Sequence, residues 1–570
     1  GEQFNNVVRV SFLSSQNLSV KISKLYVGNL DNFRGKQSDC TKQSPTEKIM
    51  ETTISYNPAT GEKIGETPLN TVEELNEAVQ KAKIAQQKWA QLSFNDRRDI
   101  ILKMRDYLTV NADRFSEVIS KDAGKTIFDA LSTEVMPTVL AINYYAKNAK
   151  RVLRRKRLRP GNILLANKIS YIDRVPFGVI GIISPWNYPF GIPMHEIIMA
   201  LIAGNGVVLK AASQTQEVAK LISEVVGAAK LPEGLFTMLN IPGNVAGDAF
   251  IDSGINKLFF TGSVPVGKKL MKKAGERLLP ISLELGGNDA MIVLDDADVH
   301  RAAAGALWGG LSNSGQSCAG VERIYVQANI YSRFMEEIKR QGSKLRQGIG
   351  TSYDIEIGSM TTESQQKLVK THLEDATSKG GLVTEVGTVD PELSKGFFHR
   401  PYLVENVNSE MLMMQEETFG PLLGIQKFST IEEAIALAND SNLGLTASVW
   451  TTDKKKGHFI ASKLEAGTIT INDHLMSHGL AETPWGGFKE SGFERTHGEI
   501  GLEAMTQPRC VVDDFLPGVK RNMWWYPHNR SVFEGLRGAI ELLYSKSIPV
   551  KFNGAIKLVK TFFRTFTENR

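Results

Sequence analysis

Lys257-Leu258-Phe259-Phe260-Thr261-Gly262-Ser263-Val264-Pro265-Val266-Gly267 reads as an apolar strand that ends in Gly-Ser and opens a helix with proline in its first turn. Such a turn turns free backbone N–H groups and the positive end of a helix dipole outward, a seat for a phosphate to which the Ser263 hydroxyl adds a donor. An ordinary helix cap uses the same residue types. Working outward, Val179-Ile-Gly-Ile-Ile-Ser184, Gly206-Val-Val-Leu-Lys210 and Phe236-Thr-Met-Leu-Asn240 are further short apolar runs, each followed by a helical pattern. Strands apolar on both faces suit a parallel sheet covered by helices, so the fold class is α/β with a doubly wound sheet. A second glycine turn, Pro242-Gly243-Asn-Val-Ala-Gly247, lies in the same region; neither turn has the full Gly-x-Gly-x-x-Gly spacing of a dinucleotide fingerprint.

Upstream, residues 1–49 show no sustained period and are rich in Ser, Asn and Lys, which suggests a disordered leader or an expression remnant. The chain begins with Gly1 rather than Met, which leaves room for an upstream segment. Residues 72–92, 95–120 and 128–153 read as amphipathic helices, and Ile163 to Val175 alternates like a strand. A second strand–helix series runs from Ala290 to about Thr470, and residues 480–507 are expected to return as strands to the first region.

The chain has 570 residues, enough for two or three domains, and three widely separated cysteines, Cys40, Cys318 and Cys510, which exclude a disulfide framework and fit a reducing, cytoplasmic setting. No metal-ligand spacing, signal-peptide core or membrane-spanning apolar run is present. The net charge of +5 is small but uneven. Residues 509–570 carry 11 Lys or Arg against 5 Asp or Glu, an asymmetry that points to an anionic surface as partner of the tail.

Ser314-Gly315-Gln316-Ser317-Cys318 holds a lone thiol a short way after Glu284-Leu285-Gly286-Gly287. A thiolate attacks carbonyl carbon, and a separate carboxylate that activates water allows the resulting thioester to be hydrolysed; a buried structural cysteine is the alternative. Ser184-Pro185-Trp186-Asn187-Tyr188-Pro189 ends another strand at the carboxyl edge of the sheet, where open α/β sheets bind ligands. The Asn187 amide there is either an oxyanion donor or a turn cap.

Pro185-Trp186-Asn187-Tyr188-Pro189, Phe260-Thr261-Gly262-Ser263, Glu284-Leu285-Gly286-Gly287, Gly315-Gln316-Ser317-Cys318, Glu416-Glu417-Thr418-Phe419-Gly420-Pro421 and Pro484-Trp485-Gly486-Gly487 follow one another in an order and spacing that resemble the aldehyde dehydrogenase superfamily, from about residue 51 to 507. The branch it resembles lies near succinate-semialdehyde and carotenoid (diapolycopene) dialdehyde dehydrogenases. The resemblance implies a Rossmann-like cofactor-binding domain of residues 50–157 and 177–286, an α/β catalytic domain of residues 287–479, and a β oligomerisation arm of residues 158–176 and 480–507, with the basic aromatic extension 508–570 beyond the family's usual end. It implies a homodimer or homotetramer, an aldehyde substrate and NAD or NADP as cofactor. By resemblance Cys318 is the nucleophile, Asn187 an oxyanion donor and Glu284 the general base. Trp186, Lys210, Ser213, Gly243, Gly262, Ser263, Gly267, Glu417 and Phe419 would contact the cofactor. NAD-preferring relatives often carry glutamate where Ser213 stands; its loss removes a repulsion toward a 2′-phosphate, so use of both NAD and NADP is expected. Glu196 stands where many hydrolytic relatives have lysine, which leaves it either out of a pocket role or as a solvated or paired carboxylate, and His474 and His478 lie where relatives line the substrate pocket, either as pocket residues or as neutral packing histidines. Three readings stand side by side: a hydrolytic dehydrogenase, a coenzyme A-acylating relative, which Glu284 argues against, and a non-catalytic binding or structural protein, which intact Cys318, Glu284 and Asn187 argue against.

In the extension, Asn522-Met-Trp524-Trp525-Tyr526-Pro-His528 is aromatic, and Ile556, Val559, Phe562, Phe563 and Phe566 fall near one helical face with Lys557, Lys560 and Arg564 beside it. This pattern fits an interfacial membrane helix delivering a long apolar aldehyde, or a helix packed on protein.

Overall fold

The structure, a computed structural model, describes residues 51–389, 393, 395–516 and 518–567. The expected leader 1–49, with Cys40, lies outside the described residues.

Five strands, β1 (Val179–Ile183), β2 (Gly206–Lys210), β3 (Phe236–Leu239), β4 (Lys257–Thr261) and β5 (Ile281–Glu284), form a parallel sheet in the order 3-2-1-4-5. Alternation along each strand divides its side chains between two cores. Ile180, Ile182, Val207 and Leu209 pack on one face, while Val179, Ile183, Val208 and Leu258 pack on the other. The strand order reverses between β1 and β4, where the connections leave in opposite directions and open a crevice at the carboxyl ends. Helix α1 (Gly191–Ala203) follows β1, and α2 (Val264–Glu276) follows β4. Gly492–Phe493 closes the far edge antiparallel to β5, with Gly492 opposite Glu284.

The second sheet places β6 (Asp289–Val293), β7 (Val321–Gln327), β8 (Tyr402–Glu405), β9 (Leu422–Phe428), β10 (Thr446–Trp450) and β11 (Thr468–Ile471) in the parallel order 8-9-7-6-10-11, with Leu382–Glu385 antiparallel at one edge. Helix α3 (Val299–Leu311) covers it and leads into the Cys318 turn.

Three expectations need correction. The strand paired with Lys168–Pro176 is Thr506–Asp514, so only its first two residues fall in the 480–507 stretch expected to form the arm; Lys156–Leu158 completes this three-stranded ribbon. Much of 480–505 is instead spent in turns around Gly486, Gly492 and Gly498 and in a short helix, Gly498–Glu503, whereas Thr506-Gln-Pro-Arg-Cys-Val-Val has the β-branched content of a strand. The strand expected over Ile163–Val175 begins only at Lys168. The single helix expected over 95–120 is two, Phe94–Val110 and Ala112–Ala123, divided at Asn111, which leaves helical geometry to cap one and start the other.

The chain ends in a helical hairpin of α4 (Arg530–Tyr544) and α5 (Ile548–Phe562). The backbones approach so closely at Gly538 and Gly554 that a Cβ on either would lie 2.5 Å or 2.6 Å from the other's carbonyl oxygen. No described helix is long and apolar enough to cross a membrane.

Candidate active site

The turn before β7 delivers Cys318. Asn313, Ser314 and Gly315 take φ of +54°, +55° and +73° in succession, which throws the chain back after α3. Side-chain bonds hold this unfavourable backbone. Ser312 Oγ and the Asn313 N–H donate to the Asp129 carboxylate at 2.7 and 3.0 Å, Ser314 Oγ donates to the Gly358 carbonyl at 3.0 Å, and Gln316 Oε1 accepts from the Thr361 N–H at 2.9 Å. At Gly315 a Cβ would sit 2.2 Å from the Gly420 carbonyl oxygen, so glycine is required.

Asn187, just past β1, is buried, and its Nδ2 donates to the Gln316 carbonyl at 3.2 Å, two residues before the thiol. Its own carbonyl accepts from Lys125 Nζ at 2.7 Å and Asn313 Nδ2 at 2.9 Å. Lys125 is fully buried and paired at 2.7 Å with Glu134, whose other oxygen accepts from the Phe190 and Gly191 N–H groups. This buried ion pair ties the Asn187 turn to the start of α1; removing one partner leaves a buried charge, a loss of about 3–5 kcal/mol.

Glu284 ends β5, buried, and neither carboxyl oxygen has a hydrogen-bond partner among the described residues. Burial raises its pKa well above the ordinary carboxylate value, Glu196 adds like-charge repulsion and Arg495 opposes both. Glu196, on α1, is pushed up to about 8 by burial. A cavity of about 20 Å³ lined by Glu284, Glu196, Thr261, Cys318, His478 and His497 separates the carboxyls from the thiol, enough room for one water molecule. Burial also raises the Cys318 thiol, and the carboxylates of Glu417, Asp289 and Glu284 raise it further. Its proton must therefore be removed before it can attack.

His195, His478 and His497 pack together behind this cavity, with His195 Nδ1 2.9 Å from His497 Nε2. Burial lowers His195 to about 3 and His478 to about 4, and lowers His497 well below its ordinary value, so the cluster is neutral. His478 also lines a larger apolar cavity beyond the thiol. His474 does not line it: buried, it makes a 3.0 Å contact from Nε2 to the Ala319 carbonyl and buttresses the chain behind the thiol.

Two larger cavities meet at Cys318, the one residue common to their linings. One, of about 300 Å³, is bounded by Pro185, Trp186, Asn187, Gly262, Ser263, Glu284, Glu417 and Phe419. It occupies the crevice between β1 and β4. Trp186 and Phe419 meet edge to face at 5.6 Å. Phe419 is held at φ +53° by Glu322, which accepts from the Thr418 and Phe419 N–H groups at 2.9 and 2.7 Å. Glu417 Oε1 accepts from the Gly287 N–H at 2.9 Å, and a Cβ on Gly286 would lie 2.2 Å from Oε2, so this carboxylate rests on the turn that carries Glu284. Ser263 occupies the N-cap of α2 without making a side-chain cap bond, so its hydroxyl and the first N–H groups of α2 stay available to a phosphate, and Thr261 Oγ1 is likewise without a partner. Gly267 brings α2 close to Leu285, where a Cβ would lie 2.6 Å from Cδ2. Lys210 ends β2 with Ser213 just past it, and Gly243 opens the helix past β3, outside the lining of this cavity but along the same edge. Burial lowers Lys210 to about 8, and a Cβ on Gly243 would meet no protein atom within 4 Å. An extended dinucleotide fits this row: a phosphate seat at α2, a cationic amine and small hydroxyl two strands away at β2, and a carboxylate and aromatic ring beside the thiol.

The other cavity, of about 260 Å³, is lined by Met136, Leu140, Ile192, Trp308, Leu475, Met476, Leu480 and Trp485 with Tyr188 and His478, and contains no Lys or Arg. Sequence reasoning did not assign most of these residues, nor the buried Lys125–Glu134 pair or Glu322. Their spacing carries no signal, because they gather from five separate segments.

A doubly wound sheet with a crevice at its carboxyl edge, a thiol at the mouth of that crevice and an apolar cavity beyond fits a dinucleotide-binding enzyme. The chain belongs to the aldehyde dehydrogenase family, whose model matches residues 45–511, and it is an NAD(P)-dependent aldehyde dehydrogenase. It is 35% identical over 497 residues to a 4,4'-diapolycopene aldehyde oxidase of Methylomonas sp, covering 87% of this chain and 92% of that protein. It is 35% identical over 475 residues to a putative NADP(+) succinate-semialdehyde dehydrogenase of Mycolicibacterium smegmatis, covering 83% and 89%. The NAD+ complex of an aldehyde dehydrogenase from Bacillus cereus superposes with a TM-score of 0.77 at 30% identity, over 82% of this chain and 94% of that one.

Proposed function

We propose that this enzyme oxidises a long or otherwise apolar aldehyde to its acid with either NAD or NADP, working as a homodimer or homotetramer in peripheral contact with a membrane through residues 508–570. The observation that carries the substrate class is the cavity beyond Cys318, which offers apolar side chains and a neutral histidine but no cation to a second carboxylate. That favours the apolar reading over a succinate-semialdehyde one.

In this reading Cys318 gives its proton to the water in the small cavity, which passes it on to solvent, and Sγ attacks the aldehyde carbon, placing negative charge on the former carbonyl oxygen. Asn187 Nδ2 and the Cys318 N–H donate to that oxygen. A bound dinucleotide would supply the hydride acceptor; Trp186, Ser263, Glu417 and Phe419 would hold it beside the thiol, with Lys210 and Ser213 toward its adenosine. Loss of hydride from carbon leaves a thioester on Cys318. Glu284 then takes a proton from a water in the small cavity, the hydroxide adds to the thioester, the C–S bond breaks, and thiolate and acid separate. Because its pKa is raised, Glu284 is protonated at low pH and becomes a base only as pH rises, so kcat climbs with pH. Replacing Glu196 removes the like charge facing Glu284 while Arg495 remains, so Glu196→Gln is expected to move this limb to lower pH; an unmoved pH profile of kcat would separate the two carboxyls.

The test is reduced-cofactor absorbance with NAD and NADP, each offered succinate semialdehyde and a long-chain aliphatic aldehyde. With each buried CH₂ contributing about 0.8 kcal/mol, four more methylenes should raise kcat/KM on the order of 100-fold. Preference for the semialdehyde would overturn the apolar reading, and an NADP kcat/KM more than about 100-fold below that of NAD would overturn the reading of Ser213. Silence with both aldehydes would revive a non-catalytic role.

A further inference from the structure

We infer that the α4–α5 hairpin is the membrane-binding element of this enzyme and lies in the headgroup boundary of an anionic bilayer, an inference that rests on the peripheral contact proposed above and not on the chemistry at Cys318. The hairpin is packed inside out for water. Between its helices lie small residues, Gly535, Gly538, Ala539, Gly554 and Thr561, all buried, with Thr561 Oγ1 donating across to the Ser531 carbonyl at 3.1 Å. Small residues at a close helix crossing are the packing used where the surroundings, not the partner helix, solvate the large side chains. The large side chains indeed face out: on α5, Ile548 (80% exposed), Phe552 (70%), Ile556 and Val559 form one stripe, continued by Phe563 in the turn just after it. On α4, Phe533 (66%), Ile540 and Tyr544 form another. A water-soluble hairpin would reverse this arrangement, and an exposed apolar face of this kind marks an interaction surface.

The charge around the stripe selects the occupant. From Arg530 to Phe566 the hairpin carries seven Lys or Arg against two Glu. Both carboxylates are neutralised within it, Glu534 by Lys557 and Glu541 by Lys557 and Arg537. Lys551 and Lys560 flank the α5 stripe on opposite sides, exposed, and neither forms an ion pair among the described residues. An apolar stripe edged by uncompensated cations matches an anionic lipid surface, whereas a two-fold contact with a second copy would bring like charges together. Arg564 ties the aromatic turn to the end of α5 by donating to the carbonyls of Met523 at 2.7 Å and Trp525 at 3.0 Å. That holds exposed Trp524, Trp525 and Tyr526 beside the stripe, aromatic side chains of the kind enriched at bilayer boundaries. The 15 residues of α5 reach about 22 Å, short of the roughly 30 Å hydrocarbon core, so the hairpin lies on the bilayer rather than through it.

Flotation of the full chain with phosphatidylcholine vesicles, with and without about 30 mol% phosphatidylserine, tests this. The wild type is expected to float with the anionic vesicles and to be released by salt. F552S/F563S should lower vesicle binding about ten-fold or more on both compositions, and K551E/K560E chiefly on the anionic one. Both variants should keep wild-type oxidation of a short soluble aldehyde, which shows that they fold. A wild type that binds no vesicle sinks the peripheral contact itself. A wild type that binds while both variants bind equally well leaves that contact standing and overturns the hairpin's part in it. Loss of self-association in F552S/F563S without vesicle binding would make this face a subunit interface.

Discussion

Cys318→Ala is expected to lower NAD(P)H formation on the order of 10⁴-fold or more for every aldehyde while leaving dinucleotide affinity within about two-fold. The size follows from the position of the sulfur. It stands where the nucleotide crevice and the apolar cavity meet, and no other nucleophilic side chain lines both. The residues proposed to hold the cofactor, Trp186, Ser263, Glu417 and Phe419, are by contrast positioned by β1, α2 and Glu322 rather than by the thiol. Steady-state turnover retained within ten-fold in the variant would remove Cys318 from the reaction.

Glu284→Gln should separate the two halves of the cycle. Hydride loss does not require a base at this position, so a stoichiometric burst of reduced cofactor is expected on mixing, followed by a steady state lowered about 10²- to 10⁴-fold, the usual contribution of a positioned general base. The acyl group would then remain on Cys318 and be visible as an added mass on the intact chain. Gln is close in shape and leaves the fold undisturbed, because no hydrogen bond to the Glu284 carboxyl is there to be lost. A burst-free time course at the wild-type rate would assign water activation to another group.

The first sheet and its crevice were legible because the apolar runs of β1, β2, β3 and β4 each precede a helical pattern and Gly262 and Ser263 mark the turn. The residues that hold the site in shape were not. Lys125, Glu134, Glu196 and Glu322 read as surface charges in a sequence, and only the fold shows them buried, each beside a group more than 60 residues away or, for Glu134, beside Phe190 and Gly191. His474 and His478 both stand where relatives line the pocket, but only His478 lines the cavity, while His474 packs against the Ala319 carbonyl. The ribbon strand was misplaced because its alternation continues past Gln507 into a segment whose charge invited assignment to the tail.

Cys318 as the single side chain shared by two cavities also governs traffic. Under the proposed function aldehyde and dinucleotide would approach it through separate doors, so whichever loaded first would leave the other's entrance clear, and the spent dinucleotide and the acid would not queue behind one another to depart. The compartments are joined only through the sulfur and the water-sized chamber beside Glu284, which makes that atom less a residue in a pocket than a valve between two rooms.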